Sequence, residues 1–262
     1  MSATRPWDRA AALPVPVGDR ALPEVAALRG GLPSIADLFT FMRDAELRFD
    51  TLRMRIEERA WTARGEELTV IEVALRHSGQ VKILSSVPSR GTAANYDVWL
   101  TDGNTVQTYA AGRKLGTRRP VRPVVKGVGG GAADLPGSSR VYSPVTPLQA
   151  ETLPELFVHP AGFCQNVLAT GVCRITGTMD VAGREAIVLE CDHPRTVERV
   201  ADRPDYRVVI AVDRADGVIL RLEESMGGQV TRDATVASYE PNASLPPSAF
   251  AFTFPADTTF IY

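Results

Sequence analysis

The chain has 262 residues, is 44% hydrophobic and 23% charged, and carries a formal net charge of -2 at pH 7. That length fits one large all-β domain or two small ones, and the composition is ordinary for a globular protein with a real core. A charge so near zero offers no overall attraction to nucleic acid or an anionic membrane, and no window approaches the ~20 apolar residues of a membrane span. Residues 1–33, rich in Pro, Ala and Arg, read as a flexible N-terminal arm. No continuous apolar stretch of the secretory kind interrupts it, so the sequence as written suggests a cytoplasmic protein.

A helix is expected to begin at Ser34, with Asp37 three residues on as a shortened capping box. Its apolar stripe is Ile35, Leu38, Phe41, Met42, Ala45 and Phe49. At Asp50 the period changes from 3.6 to 2: Leu52, Met54 and Ile56 alternate with Arg53, Arg55 and Glu57. A meander follows, with strands over 51–61, 68–76 and 81–87. After a loop at 88–94, two more strands, 96–101 and 104–109, flank Asp102-Gly103, the strongest short-range hairpin signal.

The sheet is then expected to stop. Residues 110–147 lack sustained periodicity and read as a long basic, glycine-rich excursion, followed by a short helical piece near 147–158. Gly127-Val128-Gly129-Gly130-Gly131 lacks the Gly-Lys-Ser/Thr ending of a phosphate loop, which favours a tether. Strands resume over 172–181 and 184–191 around Ala182-Gly183, then over 206–212, 218–224 and 230–239. Phe250, Phe252 and Phe254 suggest a short aromatic closing strand.

The order helix, two strands, Ser-Gly turn, strand, Asp102-Gly103 hairpin ending in Tyr109 resembles the LolA-like lipoprotein-carrier superfamily. Val181-Ala182-Gly183-Arg184, Val212-Asp213 with Gly217 to Arg221, the turn at Gly227-Gly228, and Leu245-Pro246 with Phe250 to Pro255 resemble its RseB- and LppX-like relatives. The match covers about residues 35–109 and 172–255 and rests on the order of the motifs. It implies a mainly β (α+β) fold: an unclosed, curved antiparallel sheet, or half-barrel. The N-terminal helix and one or two short helices would cover its concave face, around a hydrophobic cavity for acyl chains or other lipids. It also implies an extracytoplasmic location if the true start lies upstream.

Candidate ligand-binding residues are Leu38, Phe41, Met42 and Ala45 on the helix, and Ile71, Ile83, Val98, Ile210, Leu220 and Val236 on strands. Trp99, on the face opposite Val98, either lines the mouth of the pocket or packs under the excursion. The plain alternative is that all of these form an ordinary core. Arg113, Arg118, Arg119 and Arg122 form a basic patch for anionic headgroups, phosphate or an acidic partner; a solvated loop explains them as well. Among Cys164, Cys173 and Cys191 there is no paired metal-ligand spacing beyond Cys191-x-His193, on what would be one strand face, and no signature of a catalytic thiol. A three-residue turn at 181–183 puts Cys173 opposite Cys191, whereas a two-residue turn at 182–183 pairs Cys173 with Asp192. The sequence thus favours a non-enzymatic module binding a lipid or acyl chain, with no cofactor and no catalytic or metal residue. The alternative is a regulatory, RseB-like module that binds a protein partner.

Overall fold

The computed structural model describes residues 28, 30–63, 65–77, 79–91, 95–121, 146–194 and 205–261. Most of the expected arm, Arg122 and the glycine run at 127–131 lie outside the described residues.

Helix α1 spans Ile35–Arg43. Ser34 caps it as its sequence suggests: Oγ accepts the Asp37 N–H at 3.1 Å and donates to the Asp37 carboxylate at 2.7 Å. The helix stops at Asp44, and a 3₁₀ turn, Ala45–Arg48, carries the apolar stripe on to Phe49. The single helix expected from 34 to 49 is therefore two pieces.

Among the described residues twelve strands follow: β1 (Thr51–Thr62), β2 (Gly65–Arg76), β3 (Gln80–Ser86), β4 (Tyr96–Asp102), β5 (Thr105–Ala110), β6 (Leu115–Pro120), β7 (Val172–Val181), β8 (Arg184–Asp192), β9 (Tyr206–Asp213), β10 (Ile219–Met226), β11 (Gln229–Pro241) and β12 (Thr259–Phe260). Two short helices, α2 (Leu153–Val158) and α3 (Ala161–Asn166), lie between β6 and β7. The strands form one unclosed, curved sheet in the order β12-β6-β5-β4-β3-β2-β1-β11-β10-β9-β8-β7. Two meanders thus meet where β1 pairs with β11, and every pairing is antiparallel except β12 with β6.

Two expectations are corrected. The sheet does not stop at Tyr109: a 3₁₀ turn at Ala111–Arg113 and a left-handed Lys114 close a further hairpin into β6. Periodicity misses this strand because Arg118, Arg119 and Pro120 are all exposed at its outer end, leaving no apolar alternation to read. The aromatic tail is not a strand either. A 3₁₀ turn at Pro247–Phe250 leads into an irregular extended stretch, and the edge pairing is made later by Thr259–Phe260. Proline at 246 and 247 removes two backbone donors that a ladder would need.

The inner face of the sheet carries the main core, in which Leu38, Met42 and Ala45 of the helical cap pack with Phe157, Leu168, Leu52, Ile187, Ile210 and Leu220. A second, smaller core lies on the opposite face of β4 and β5. There Val98, Leu100 and Tyr109 are covered by Phe252 and Phe254, whose rings sit 5.5 Å and 6.1 Å from that of Tyr109. So the face of β4 and β5 turned away from the main core is covered as well.

Three of the residues that carry the RseB-like resemblance, Arg184, Asp213 and Gly217, meet in one structural knot. Arg184 forks onto Asp213 at 2.7 and 2.8 Å and reaches Asp216 at 2.8 Å. Tyr239 Oη donates to Asp216 at 3.1 Å, and Asp213 accepts the N–H groups of Ala215 and Asp216, folding the β9–β10 turn. Gly217, at φ 78°, closes the knot beneath α1: a Cβ there would lie 3.1 Å from the Phe41 ring. These three residues are thus accounted for by packing helix to sheet.

Candidate functional site

The helical cap and the sheet do not enclose an empty interior around α1. Leu38 and Met42 are wholly buried, and Ala45 and Phe41 nearly so. Ile71, Ile210, Leu220 and Val236 pack in the same core. Phe41 is pinned separately, beneath the Arg48 guanidinium at 3.8 Å from its ring centre and against Gly217. The other seven side chains are therefore brought together in one core. A buried pair, Glu46 with His159 at 2.9 Å, ties the 3₁₀ turn after α1 to the end of α2.

The open space lies elsewhere, on the inner face of β3–β6. Pairing register puts Ile83, Trp99, Thr108 and Thr117 in one row across four strands, and Ser85, Asp97, Ala110 and Leu115 in the next. All eight line a groove of about 650 Å³, within the usual range for small-molecule sites. Arg90, Asn95, Arg113, Gln149 and Ile261 also line it. Its floor is mixed. Ile83, Trp99, Ala110 and Leu115 supply apolar surface, and the Thr108 and Thr117 hydroxyls satisfy each other at 2.6 Å. Asp97 is the one carboxylate among these lining residues. Burial pushes its pKa above the ordinary carboxylate value, with Arg113 opposing the shift.

Of the expected binding residues, the groove takes Ile83, Trp99 and Val98. Trp99 faces inward beside Ile83. Val98 points to the second core and meets the groove only from the far side of its strand. Sequence reasoning missed Ser85, Asp97, Thr108, Leu115 and Thr117. A readable signal existed for Thr108, since an odd-sum hairpin register around Asp102-Gly103 puts it on the Trp99 face. Nothing marked Leu115 and Thr117, because their strand was not expected.

The described arginines of the expected basic patch do not share one face. Arg113 borders the groove, but Arg118 pairs opposite Gln107 and Arg119 opposite Val106, so the pleat sends them to opposite faces. Arg122 lies outside the described residues. Cys191 and His193 are separated too: Cys191 is buried in the main core, while His193 leaves the strand at φ 56° and is exposed. Among the described residues, no helix is long and apolar enough to cross a membrane.

No protein-family model and no curated protein matches the sequence. Among solved structures, the chain is similar to MucB in the Pseudomonas aeruginosa MucA/MucB complex. That match has 16% identity and a TM-score of 0.47, and covers 86% of this chain and 62% of that one. It is similar also to the Mycobacterium tuberculosis lipoprotein LppX, at 8% identity and a TM-score of 0.42, covering 81% of this chain and 100% of that one. A LolA superfamily protein from Nitrosomonas europaea aligns at 11% identity and a TM-score of 0.31, over 84% of this chain and 99% of that one. The chain thus spans about 62% of the length of the MucB structures it matches.

Proposed function

We propose that the chain is a non-enzymatic binding module whose groove over β3–β6 takes the apolar part of an amphipathic ligand, a lipid or acyl chain. The observation that carries this reading is the contrast between the two halves of the inner face. One half is packed solid by α1, α2 and α3; the other leaves an indole in the floor of an open groove. Each buried methylene contributes ~0.8 kcal/mol, so a chain of about ten offsets several kcal/mol of association cost and still binds in the micromolar range. The acyl chain lies along Ile83, Trp99 and Leu115, with its polar end toward Asp97 and Arg113. The LolA-like resemblance in the sequence points to the same ligand class.

Trp99 is its own reporter once Trp7 and Trp61 are replaced by Phe. Titration with a brominated fatty acid should quench Trp99 saturably, and native mass spectrometry should show one acyl ligand per chain. Unchanged Trp99 fluorescence in a folded chain would remove the lipid reading. Quenching relieved by an added peptide, with no lipid retained, would favour the regulatory protein-binding alternative.

A further inference from the structure

Cys173 and Cys191 stand apart from the groove, at the far edge of the sheet. The turn at Ala182-Gly183 is a two-residue one, with Val181 opposite Arg184, and taken alone it would set Cys173 opposite Asp192. A bulge between Ile175 and Gly177 inserts one residue and brings Cys191 opposite Cys173 instead. Both sulfurs then lie on one face. Each thiol donates to the carbonyl of Leu168, at 3.1 Å from Cys173 and 3.3 Å from Cys191. Facing residues on antiparallel strands have Cα atoms ~4.5–5.5 Å apart, inside the ~4.4–6.8 Å span that a disulfide bridges. The chain also leaves room for the pair: a Cβ at Gly171 would fall 2.6 Å from the Cys191 sulfur.

We propose that Cys173 and Cys191 form a dithiol–disulfide couple that closes by exchange with a disulfide of the glutathione class and fastens edge strand β7 to β8. Cys173 is half-buried on the edge strand and is the attacking group; Cys191 is wholly buried and resolves. Once Cys173 is a thiolate the Cys191 S–H turns from Leu168 to it, which holds the Cys173 thiol below its ordinary pKa, while that interaction and burial push Cys191 up, the polarity this order requires. The Cys173 thiolate bonds to one sulfur of glutathione disulfide; the S–S bond breaks, and the departing glutathione takes the proton Cys173 lost. Cys191 then gives up its proton and attacks the Cys173 sulfur, releasing the second glutathione as a thiol. Two protein thiols are oxidised by two electrons, and one glutathione disulfide is reduced to two glutathiones. Closure removes both thiol donors from the Leu168 carbonyl, which keeps the Gly171 N–H at 3.1 Å. Cys164 stays outside the couple, buried against the Met42 sulfur at 3.7 Å, its pKa pushed up to about 12.

The test equilibrates the full, folded chain with graded mixtures of reduced and oxidised glutathione, quenches with acid, and counts thiols by mass after alkylation in denaturant. The expected product has lost two of its three thiols, is lighter by two hydrogens, and yields a cross-linked peptide joining Cys173 to Cys191. Cys191→Ser should stop at one glutathione on Cys173, and Cys173→Ser should remain unmodified while folded. Three thiols retained in the folded wild type, a persistent glutathione adduct without ring closure, or a link through Cys164 would each overturn the proposal.

Discussion

His77 is held on both ring nitrogens. Nε2 lies 2.7 Å from the backbone carbonyl of Glu46, which only accepts, so that nitrogen carries the proton; Nδ1, 3.0 Å from Thr146 Oγ1, accepts. The neutral ring is therefore fully satisfied, and it stacks on Phe49 at 5.4 Å. Burial lowers its pKa and outweighs the nearby Glu46 carboxylate. As pH falls through the unfolded value of ~6.5, the unfolded chain takes up a proton before the folded chain does, so stability is whole above that pH and is lost below it. His77→Gln keeps one donor and one acceptor but cannot titrate. Its unfolding free energy, measured by urea denaturation across this range, should fall less steeply than that of the wild type; equal slopes would exclude His77 as a source. Arg184 gives a second test at this scale. Its partner Asp213 is 1% exposed, so Arg184→Met strands a buried carboxylate. That should cost about 3–5 kcal/mol, as loss of one partner of a buried pair does. Arg184→Lys, which keeps the charge without the fork, should lose less.

Among the elements, the hairpin of β7 and β8 shows how far the sequence could be read. Ala182-Gly183 announced a turn, and the strands on either side were legible from their alternation. The facing of Cys173 was not, because the bulge near Thr176 leaves no mark beyond Gly177, one glycine among many. The helical cap was half legible. Ser34, Asp37 and the apolar stripe located α1, whereas α3 follows Pro160 with too few residues to show a period. Strand β6 was hidden by arginines at a sheet edge, where neither face need be apolar. The turn itself carries removable strain. Ala182 sits at φ 54°, a left-handed conformation that Asn tolerates better than Ala, and its side chain is exposed, so replacing it loses no packing. Ala182→Asn should stabilise by about 1 kcal/mol, raising Tm by ~2–4 °C in a thermal melt. No change in Tm would mean that the bulge, not the turn, governs the hairpin.

Across the whole molecule, the helical cap and the proposed groove lie toward different ends of one sheet. Helix α1 packs against α3 and β7 at one end, while the groove lies over β3–β6 toward the other. From β3 to β7 the sheet steps through seven pairings, about 34 Å along its curve at ~4.8 Å per strand. Side chains so far apart along the sheet should act largely independently. Leu38→Ala opens a cavity in the plug and should cost ~2–5 kcal/mol, yet leave acyl quenching of Trp99 unchanged at concentrations where the variant stays folded. Thr108→Trp fills the groove beside Trp99 and gives up only a half-buried hydroxyl pair. It should abolish the quenching while moving the unfolding free energy by no more than about 0.5 kcal/mol, as surface changes do. If Leu38→Ala weakened the ligand as much as the fold, α1 would be a lid rather than a plug, and the ligand would have to reach the main core that now looks filled. The two variants measured together therefore locate the ligand on the sheet, which neither the helix nor the groove decides alone.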